Sequence, residues 1–206
     1  MEKKNIILIC VSILVIVLLF FAGNINSKET NKEKYKDKVV EIKVKDYGSI
    51  IVELDYDNAP ITVDNFINLI EDKFYDGLTF HRIIDGFMIQ GGSYEQDGSI
   101  KKTKTIKGEF TSNNVNNQLS HERGVISMAR SNDPNSASSG FFIVHKDYPS
   151  LDGNYAAFGK VISGMDVVDR IVEDSNPIDD NGGIDIDDRP IIKSIRLIDR
   201  ITTYDE

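Results

Sequence analysis

A succession of short apolar runs, each bounded by Gly, Asp or Asn, constrains the fold of this 206-residue chain most strongly. Residues 39–55 alternate apolar and polar side chains on both sides of Tyr47-Gly48, a pattern typical of a β-hairpin. Residues 191–198 alternate again near the other end of the chain. Many short strands favour a barrel or a sandwich. The intervening runs are 79–84, 87–90, 124–129, 140–144 and 156–162.

Two stretches change to a helical period. Residues 59–77 place Val63, Phe66, Ile67 and Ile70 on one helical face, and residues 165–172 form a second apolar stripe. Strands at both ends and only two helices argue against a parallel α/β sheet. They predict a mainly β fold, a closed eight-stranded antiparallel β-barrel capped by two α-helices.

The most abrupt change in composition lies at the N-terminus, where residues 6–22 carry no charge. As a helix this run would be about 25 Å long, near the lower limit for crossing a hydrocarbon core. We expect a short tail at 1–5 and a transmembrane anchor at 6–23, with a cleaved signal sequence or a buried helix as alternatives. The polar residues 24–38 are expected to form a flexible stalk in front of a globular domain at 39–206.

Charge bears on location and on partners. Lys3 and Lys4 favour a cytoplasmic N-terminus, although five lysines within 27–38 weaken that argument. No cysteine follows Cys10, which is compatible with an oxidising exterior. We therefore expect a single-pass protein of the cell membrane with its domain outside the cytoplasm. The net charge of -9 and the pI near 4.9 argue against nucleic-acid binding.

The stretch FHRIIDGFMIQGG, residues 80–92, contains an unexpected cation. At strand spacing, Arg82 shares a face with Phe80 and Ile84, so a charged group lies among apolar side chains. A surface arginine whose stem covers apolar neighbours is the ordinary explanation. The surrounding sequence favours a functional one.

Four ordered blocks and a closing strand carry a resemblance to a known family. The blocks are NFINL (65–69), FYDGLTFHRIIDGFMIQGG (74–92), RGVISMARSNDPNSASSGFFI (123–143) and LDGNYAAFGKVISGMDVVD (151–169). In order and spacing they resemble a bacterial cyclophilin, a peptidyl-prolyl cis-trans isomerase. The resemblance extends from about Val39 to Ile198. It implies an enzyme that acts on X-Pro bonds in unfolded or flexible polypeptides, without a cofactor or a metal, as a monomer.

The chemistry of X-Pro isomerisation explains what such an arginine could do. The barrier of about 20 kcal/mol comes from conjugation between the amide nitrogen and its carbonyl. A donor aimed at the prolyl nitrogen favours the twisted state over both planar states. The resemblance assigns this role to Arg82 and makes Gln90 the residue that orients it.

The resemblance also assigns the substrate-binding residues. It implies a proline pocket built from Phe87, Met88, Phe142 and Leu151. Ala129 and Arg130 correspond to a strand edge that pairs with the peptide backbone, and Tyr155 to an aromatic wall. Assistance to the folding of secreted or surface proteins would follow from the expected location.

Several positions depart from the family pattern. Gly140 stands where a glutamine is common, so one hydrogen bond to the peptide is lost, and a non-catalytic module that binds or docks proline segments is the alternative function. Tyr155 replaces a histidine and Ser150 a tryptophan that contacts cyclosporin in eukaryotic members. Arg130 replaces an asparagine, and its side chain is expected to favour acidic clients.

Other polar residues receive simpler interpretations. Alternation places His81 on the face opposite Arg82, as an interior histidine without a catalytic role. The Ser, His and Asp residues lack the sequence context of a hydrolase triad. The acidic residues within 172–190 are expected to form a solvated loop, with a calcium loop as the alternative.

Overall fold

The computed structural model describes residues 31–200. The chain divides after Asp37, and in the described end of the first unit residues 31–35 are helical. The predicted tail at 1–5, the anchor at 6–23 and residues 24–30 of the stalk lie outside the described residues. Within 31–200, no helix has the length and apolarity needed to cross a membrane.

An eight-stranded antiparallel sheet forms the body of the domain, as the sequence predicts, with strand order β3-β4-β6-β5-β7-β2-β1-β8. The strand runs proposed from the sequence agree with the observed ones to within a few residues. The strands are β1 (Lys38–Val44), β2 (Gly48–Leu54), β3 (Thr79–Ile84), β4 (Met88–Tyr94), β5 (Val125–Met128), β6 (Phe141–Val144), β7 (Ala157–Ser163) and β8 (Ile192–Asp199).

The predicted full closure of the barrel is corrected by the way in which the outer strands meet. The Phe80 N–H donates to the Pro190 carbonyl (2.9 Å) and the Ile192 N–H to the Leu78 carbonyl (2.7 Å), which joins β3 to β8 at one end only. Further along β3, the Ile83 N–H donates instead to the Gly182 carbonyl (2.8 Å). The sheet is therefore a curled half-barrel, because a loop takes the place of β8 along this part of the edge.

Two α-helices pack on the sheet, as expected: α1 (Pro60–Glu71) and α2 (Met165–Asp174). The α1 residue Phe66 is fully buried, and its ring lies 5.2 Å from Tyr75, 5.6 Å from Phe141 and 5.1 Å from Phe158, measured between centroids. Aromatic pairs at these distances add to the stabilisation from burial. This cluster fixes α1 and β6, and through β6 one wall of the site.

A carboxylate far away in the sequence accepts hydrogen bonds from the backbone N–H groups in the first turn of α1. The buried Glu109 accepts hydrogen bonds from the N–H groups of Ile61 (3.0 Å) and Thr62 (2.7 Å), and from the Thr62 hydroxyl (2.7 Å). Backbone donors at a helix start need such acceptors, and the dipole of the helix favours a negative charge there. The long segment between β4 and β5 is thereby tied to the core.

Candidate active site

All nine predicted site residues line one cavity of about 130 Å³ that opens to solvent. The walls combine apolar and aromatic side chains with two arginines and one amide. The lining residues are Arg82, Phe87, Met88, Gln90, Ala129, Arg130, Phe142, Leu151 and Tyr155.

The register of four neighbouring strands brings the central residues together. Arg82 of β3 lies opposite Gln90 of β4, and Gln90 lies opposite Phe142 of β6. Phe142 in turn lies opposite Ser127 of β5. Residues that face each other across strands share one side of the sheet. A cation, an amide, a ring and a hydroxyl therefore form one row across the sheet.

Gly92 permits the close approach that this register requires. Its φ of +81° is a conformation that side chains disfavour, and a Cβ there would lie 2.8 Å from the Phe141 ring. The glycines that end the FHRIIDGFMIQGG motif thus serve packing beside the site.

The Arg82 guanidinium is fixed at two of its nitrogens. Nε donates to the Asn181 carbonyl (2.7 Å), and Nη1 donates to Gln90 Oε1 (3.2 Å). The guanidinium carbon lies 5.7 Å from the centre of the Phe87 ring, within cation-π range. Among residues 31–200, Nη2 has no hydrogen-bond partner. A fixed cation with a remaining donor group thus lines the cavity.

The Gln90 amide has a defined orientation because His81 contacts its other end. His81 Nε2 lies 3.4 Å from Gln90 Nε2, so the imidazole must accept the proton of the amide at this nitrogen. Burial lowers the pKa of His81 to about 4, and the charges of Arg189 and Arg82 add to this shift. The ring is neutral at neutral pH, and Gln90 Oε1 is left facing Arg82.

As the sequence predicts, His81 is a hydrogen-bonded histidine that does not line the cavity, but it is not separated from the site residues. A register shift between Phe80 and Arg82 breaks the alternation and brings the His81 ring to Gln90. The opposite edge of the ring has no partner for Nδ1 within the described chain.

The apolar part of the cavity rests on the core of the half-barrel. Met88 is fully buried and Phe142 is 4% exposed, whereas Phe87, Leu151 and Tyr155 pack against them and stay partly accessible. The Phe142 and Tyr155 rings are 5.9 Å apart and nearly perpendicular. A deep floor and accessible walls suit a small saturated ring.

Arg130 lies at the other end of the cavity, and each of its nitrogens already has a partner. Nε and Nη2 donate to the Asn154 carbonyl (3.0 and 2.8 Å), and Nη1 donates to the Ser131 carbonyl (2.8 Å). The guanidinium lies over the Phe110 and Tyr155 rings, 5.1 and 4.7 Å from their centres. This side chain is part of the wall.

The backbone of Ala129 is half engaged. Its N–H donates to the Gly140 carbonyl (2.9 Å), whereas its own carbonyl accepts no hydrogen bond in the described part of the chain. Ala129 follows β5, which is an inner strand, so the expected strand edge consists only of this short extension. A Cβ at Gly140 would lie 2.7 Å from the Ser93 hydroxyl oxygen, so a larger residue there requires Ser93 to move.

Asp152, His121 and Ser127 form a hydrogen-bonded arrangement beside the cavity that the sequence alone does not predict. His121 Nδ1 lies 2.8 Å from Asp152 Oδ1, and His121 Nε2 lies 3.1 Å from the Ser127 hydroxyl. Burial lowers the pKa of His121, although the hydrogen bond and charge of Asp152 oppose this shift. Ser127 is fully buried, so a substrate carbonyl cannot reach it. The arrangement supports Phe142, whose ring lies 6.0 Å from the His121 ring.

The acidic side chains within 172–190 are exposed. No group of three or more His, Cys, Asp or Glu side chains within 31–200 is arranged to hold a metal ion. Asp179 and Asp185 each accept hydrogen bonds from nearby backbone N–H groups, as residues in turns do.

Comparison with known proteins gives consistent matches. The family described as cyclophilin type peptidyl-prolyl cis-trans isomerase/CLD matches residues 39–197. A peptidyl-prolyl cis-trans isomerase of Acinetobacter baylyi is 45% identical over 139 residues, which are 65% of this chain and 71% of that protein. A probable peptidyl-prolyl cis-trans isomerase of Brucella suis is 37% identical over 181 residues, 85% of this chain and 90% of that protein.

A solved structure agrees with the fold. It is the crystal structure of a cyclophilin type peptidyl-prolyl cis-trans isomerase of Cryptosporidium parvum in the presence of the dipeptide Ala-Pro. The TM-score is 0.64 at 29% sequence identity, and the match covers 78% of this chain and 98% of that one.

Proposed function

Because the chain belongs to the family of cyclophilin-type peptidyl-prolyl cis-trans isomerases, we propose that the cavity around Arg82 is its active site. The chain is an enzyme of this class and accelerates rotation about X-Pro bonds in polypeptides. The observation that carries the assignment of the site is the fixed Arg82 guanidinium beside the apolar floor formed by Met88 and Phe142.

The proline ring occupies the apolar part of the cavity in this proposal. Rotation of the X-Pro bond out of the plane ends the conjugation, and the lone pair of the prolyl nitrogen becomes a hydrogen-bond acceptor. A guanidinium N–H of Arg82 donates to this lone pair in the twisted state and has no such acceptor in either planar state. Only an interaction that is stronger in the transition state accelerates the reaction.

The size of this effect is set by the strength of one charged hydrogen bond. Such a bond contributes about 1.5 to 3 kcal/mol, which corresponds to a factor of about 10 to 100 in rate. The peptide backbone would pair with the free carbonyl of Ala129, and Gln90 would hold the guanidinium in place. No covalent step is involved.

An Arg82→Ala variant tests the proposal. Exchange spectroscopy on an Ala-Pro peptide measures the cis-trans rate, and a titration measures the dissociation constant. We expect the parent to accelerate exchange and the variant to lose about 100-fold of the acceleration with little change in peptide affinity. Parent activity that survives in the variant would contradict the role of Arg82.

The alternative function is a module that binds proline segments without useful turnover. Gly140 favours it, because the side chain that would help hold the peptide is missing there. The same experiment distinguishes the two functions: peptide binding by the parent without accelerated exchange would support the module and overturn turnover.

We also propose that residues 6–23 anchor the chain in the cell membrane, with the catalytic domain on the outer side, where it assists the folding of secreted or surface proteins. The uncharged run and the lysines before it support this topology. Protease added to intact cells that express the chain should remove the domain. Full protection of the domain in intact cells, with cleavage after lysis, would contradict the topology.

A further inference from the structure

The loop between α2 and β8 is more than a solvated acidic connection. Residues 177–184, named the acidic turn below, fold back on themselves: the Ile178 N–H donates to the Gly183 carbonyl (2.8 Å) and the Gly182 N–H to the Asp179 carbonyl (3.1 Å). Most of its side chains are exposed, and its backbone carries the ordered contacts.

The acidic turn docks along β3 on both sides of Arg82. The Ile184 N–H donates to the His81 carbonyl (3.0 Å), and the Ile83 N–H donates to the Gly182 carbonyl (2.8 Å). Between these two bonds, the Asn181 carbonyl accepts from Arg82 Nε at 2.7 Å. The shortest hydrogen bond made by the guanidinium therefore comes from this turn and not from Gln90, at 3.2 Å.

Asp179 holds the three peptide units around the Asn181 carbonyl. Its Oδ1 accepts the N–H groups of Asn181 (2.9 Å) and Gly183 (3.0 Å), which fixes the 180–181 and 182–183 peptide units. Its backbone carbonyl accepts the Gly182 N–H (3.1 Å) of the unit between them, which carries the Asn181 carbonyl. Gly182 itself has φ +82°, and a Cβ there would lie 2.3 Å from Ile84 Cγ1. The turn is thus closely fitted to β3, and Asp179 is its internal support.

We propose that Asp179 is a positioning residue for catalysis, which acts through the Asn181 carbonyl to hold the Arg82 guanidinium at the angle required by the twisted X-Pro bond. Gln90 restrains one Nη nitrogen, and a single such contact leaves the planar group free to swing. The Asn181 carbonyl at Nε supplies the second restraint. The inference rests on the proposed function of Arg82, because a positioning residue matters only if the group it positions reacts.

Three variants of the full-length chain test the proposal. Asp179→Ala removes the acceptor for both N–H groups. Asp179→Asn keeps an Oδ1 acceptor and removes the charge. Asp180→Asn is the matched control, because it removes the charge of a neighbouring exposed carboxylate. Exchange spectroscopy on the Ala-Pro peptide gives the turnover rate, and a titration gives the dissociation constant.

We expect Asp179→Ala to lower the turnover rate about 10-fold at an unchanged dissociation constant, since misplacement of a catalytic group costs rate more than binding. Asp179→Asn should restore the rate to within about twofold of the parent, and Asp180→Asn should do the same. The Arg82 Nε–H signal in a ¹⁵N spectrum should exchange faster with water in Asp179→Ala alone.

The outcomes distinguish the role of Asp179 from the proposed function of Arg82. Full activity in Asp179→Ala, with Arg82→Ala still inactive, would overturn the role of Asp179 and leave the proposed function intact. Equal loss in Asp179→Ala, Asp179→Asn and Asp180→Asn would overturn it as well, because charge and not the turn geometry would then be responsible. Unchanged activity in Arg82→Ala would remove the basis of both proposals.

Discussion

The two arginines of the cavity differ in what their hydrogen bonds leave available. Arg82 is held through Nε and Nη1, and within the described chain Nη2 has no partner. Arg130 donates from all three nitrogens to backbone carbonyls and lies over two aromatic rings. One arginine thus presents a hydrogen-bond donor to a ligand at one end of the cavity, whereas the other forms part of the wall at the opposite end.

The hydrogen bonds of Arg130 bear on an expectation about clients. The sequence predicts that this side chain favours acidic clients. Each of its nitrogens already donates to the carbonyl of Asn154 or Ser131, and one further N–H remains on each Nη nitrogen. An acidic side chain of a client would contact these remaining N–H groups, so the preference stays a prediction.

The largest effect is expected for Arg82→Lys. Lysine keeps the charge but has no counterpart of the guanidinium fork that reaches Asn181 and Gln90 together. We expect kcat/KM to fall about 30- to 100-fold, close to the loss in Arg82→Ala. Coupled or exchange assays on a proline peptide measure this. A lysine variant with nearly full activity would show that charge alone is sufficient and that the fixed guanidinium of Arg82 is not required.

Gln90→Ala is expected to have the next largest effect. It removes the acceptor of Arg82 Nη1, and the loss of one orienting contact should lower kcat/KM about 10-fold. In an Arg82→Ala background the same change should have little further effect, because the two residues act as a unit. Additive losses in the double variant would contradict this coupling.

Arg130→Ala should have a smaller effect and act on binding. The change removes packing from Tyr155 and Phe110, so we expect KM to rise about threefold with little change in kcat. Lys146→Ala, which removes an exposed cation away from the cavity lining, is the charge-matched control. A loss of kcat as large as that of Arg82→Lys would show that the two arginines have similar roles.

Acidification is expected to lower the stability of the fold through His81, which lies beside Gln90 near Arg82. With the pKa of His81 near 4 when folded and near 6.5 when unfolded, the unfolded chain binds more protons between these values. The contribution of neutral His81 to the free energy of unfolding is therefore fully present above pH 6.5. The free energy of unfolding decreases by about 1 to 3 kcal/mol as the pH falls towards 4. Chemical denaturation at several pH values should show a weaker decrease in His81→Gln. Turnover between pH 6 and 8 should stay within about twofold, since His81 does not titrate there.

Local patterns were sufficient for the strands and the helices, because hydrophobic period depends on near neighbours, whereas the nine residues of the cavity were assigned through the resemblance of the ordered motifs to a family. Local patterns were insufficient where distant segments meet. Three interactions join residues far apart in the chain: the Glu109 carboxylate at the start of α1, the hydrogen bond from Arg82 to the Asn181 carbonyl, and the contacts of His121 with Asp152. The predicted closure of the barrel is wrong for the same reason. The segment at 182–184 pairs with the edge of β3, and nothing in the alternation of β8 indicates this pairing.

The most direct test of the account observes which arginine engages the substrate. ¹⁵N spectra of the guanidinium groups, assigned with Arg82→Lys and Arg130→Lys, can be recorded while a proline peptide is added. We expect the Nη signals of Arg82 to shift on binding, and the Nε signal of Arg130 to keep its position and its slow exchange with water. Shifts at Arg130 with unchanged Arg82 signals would contradict this expectation.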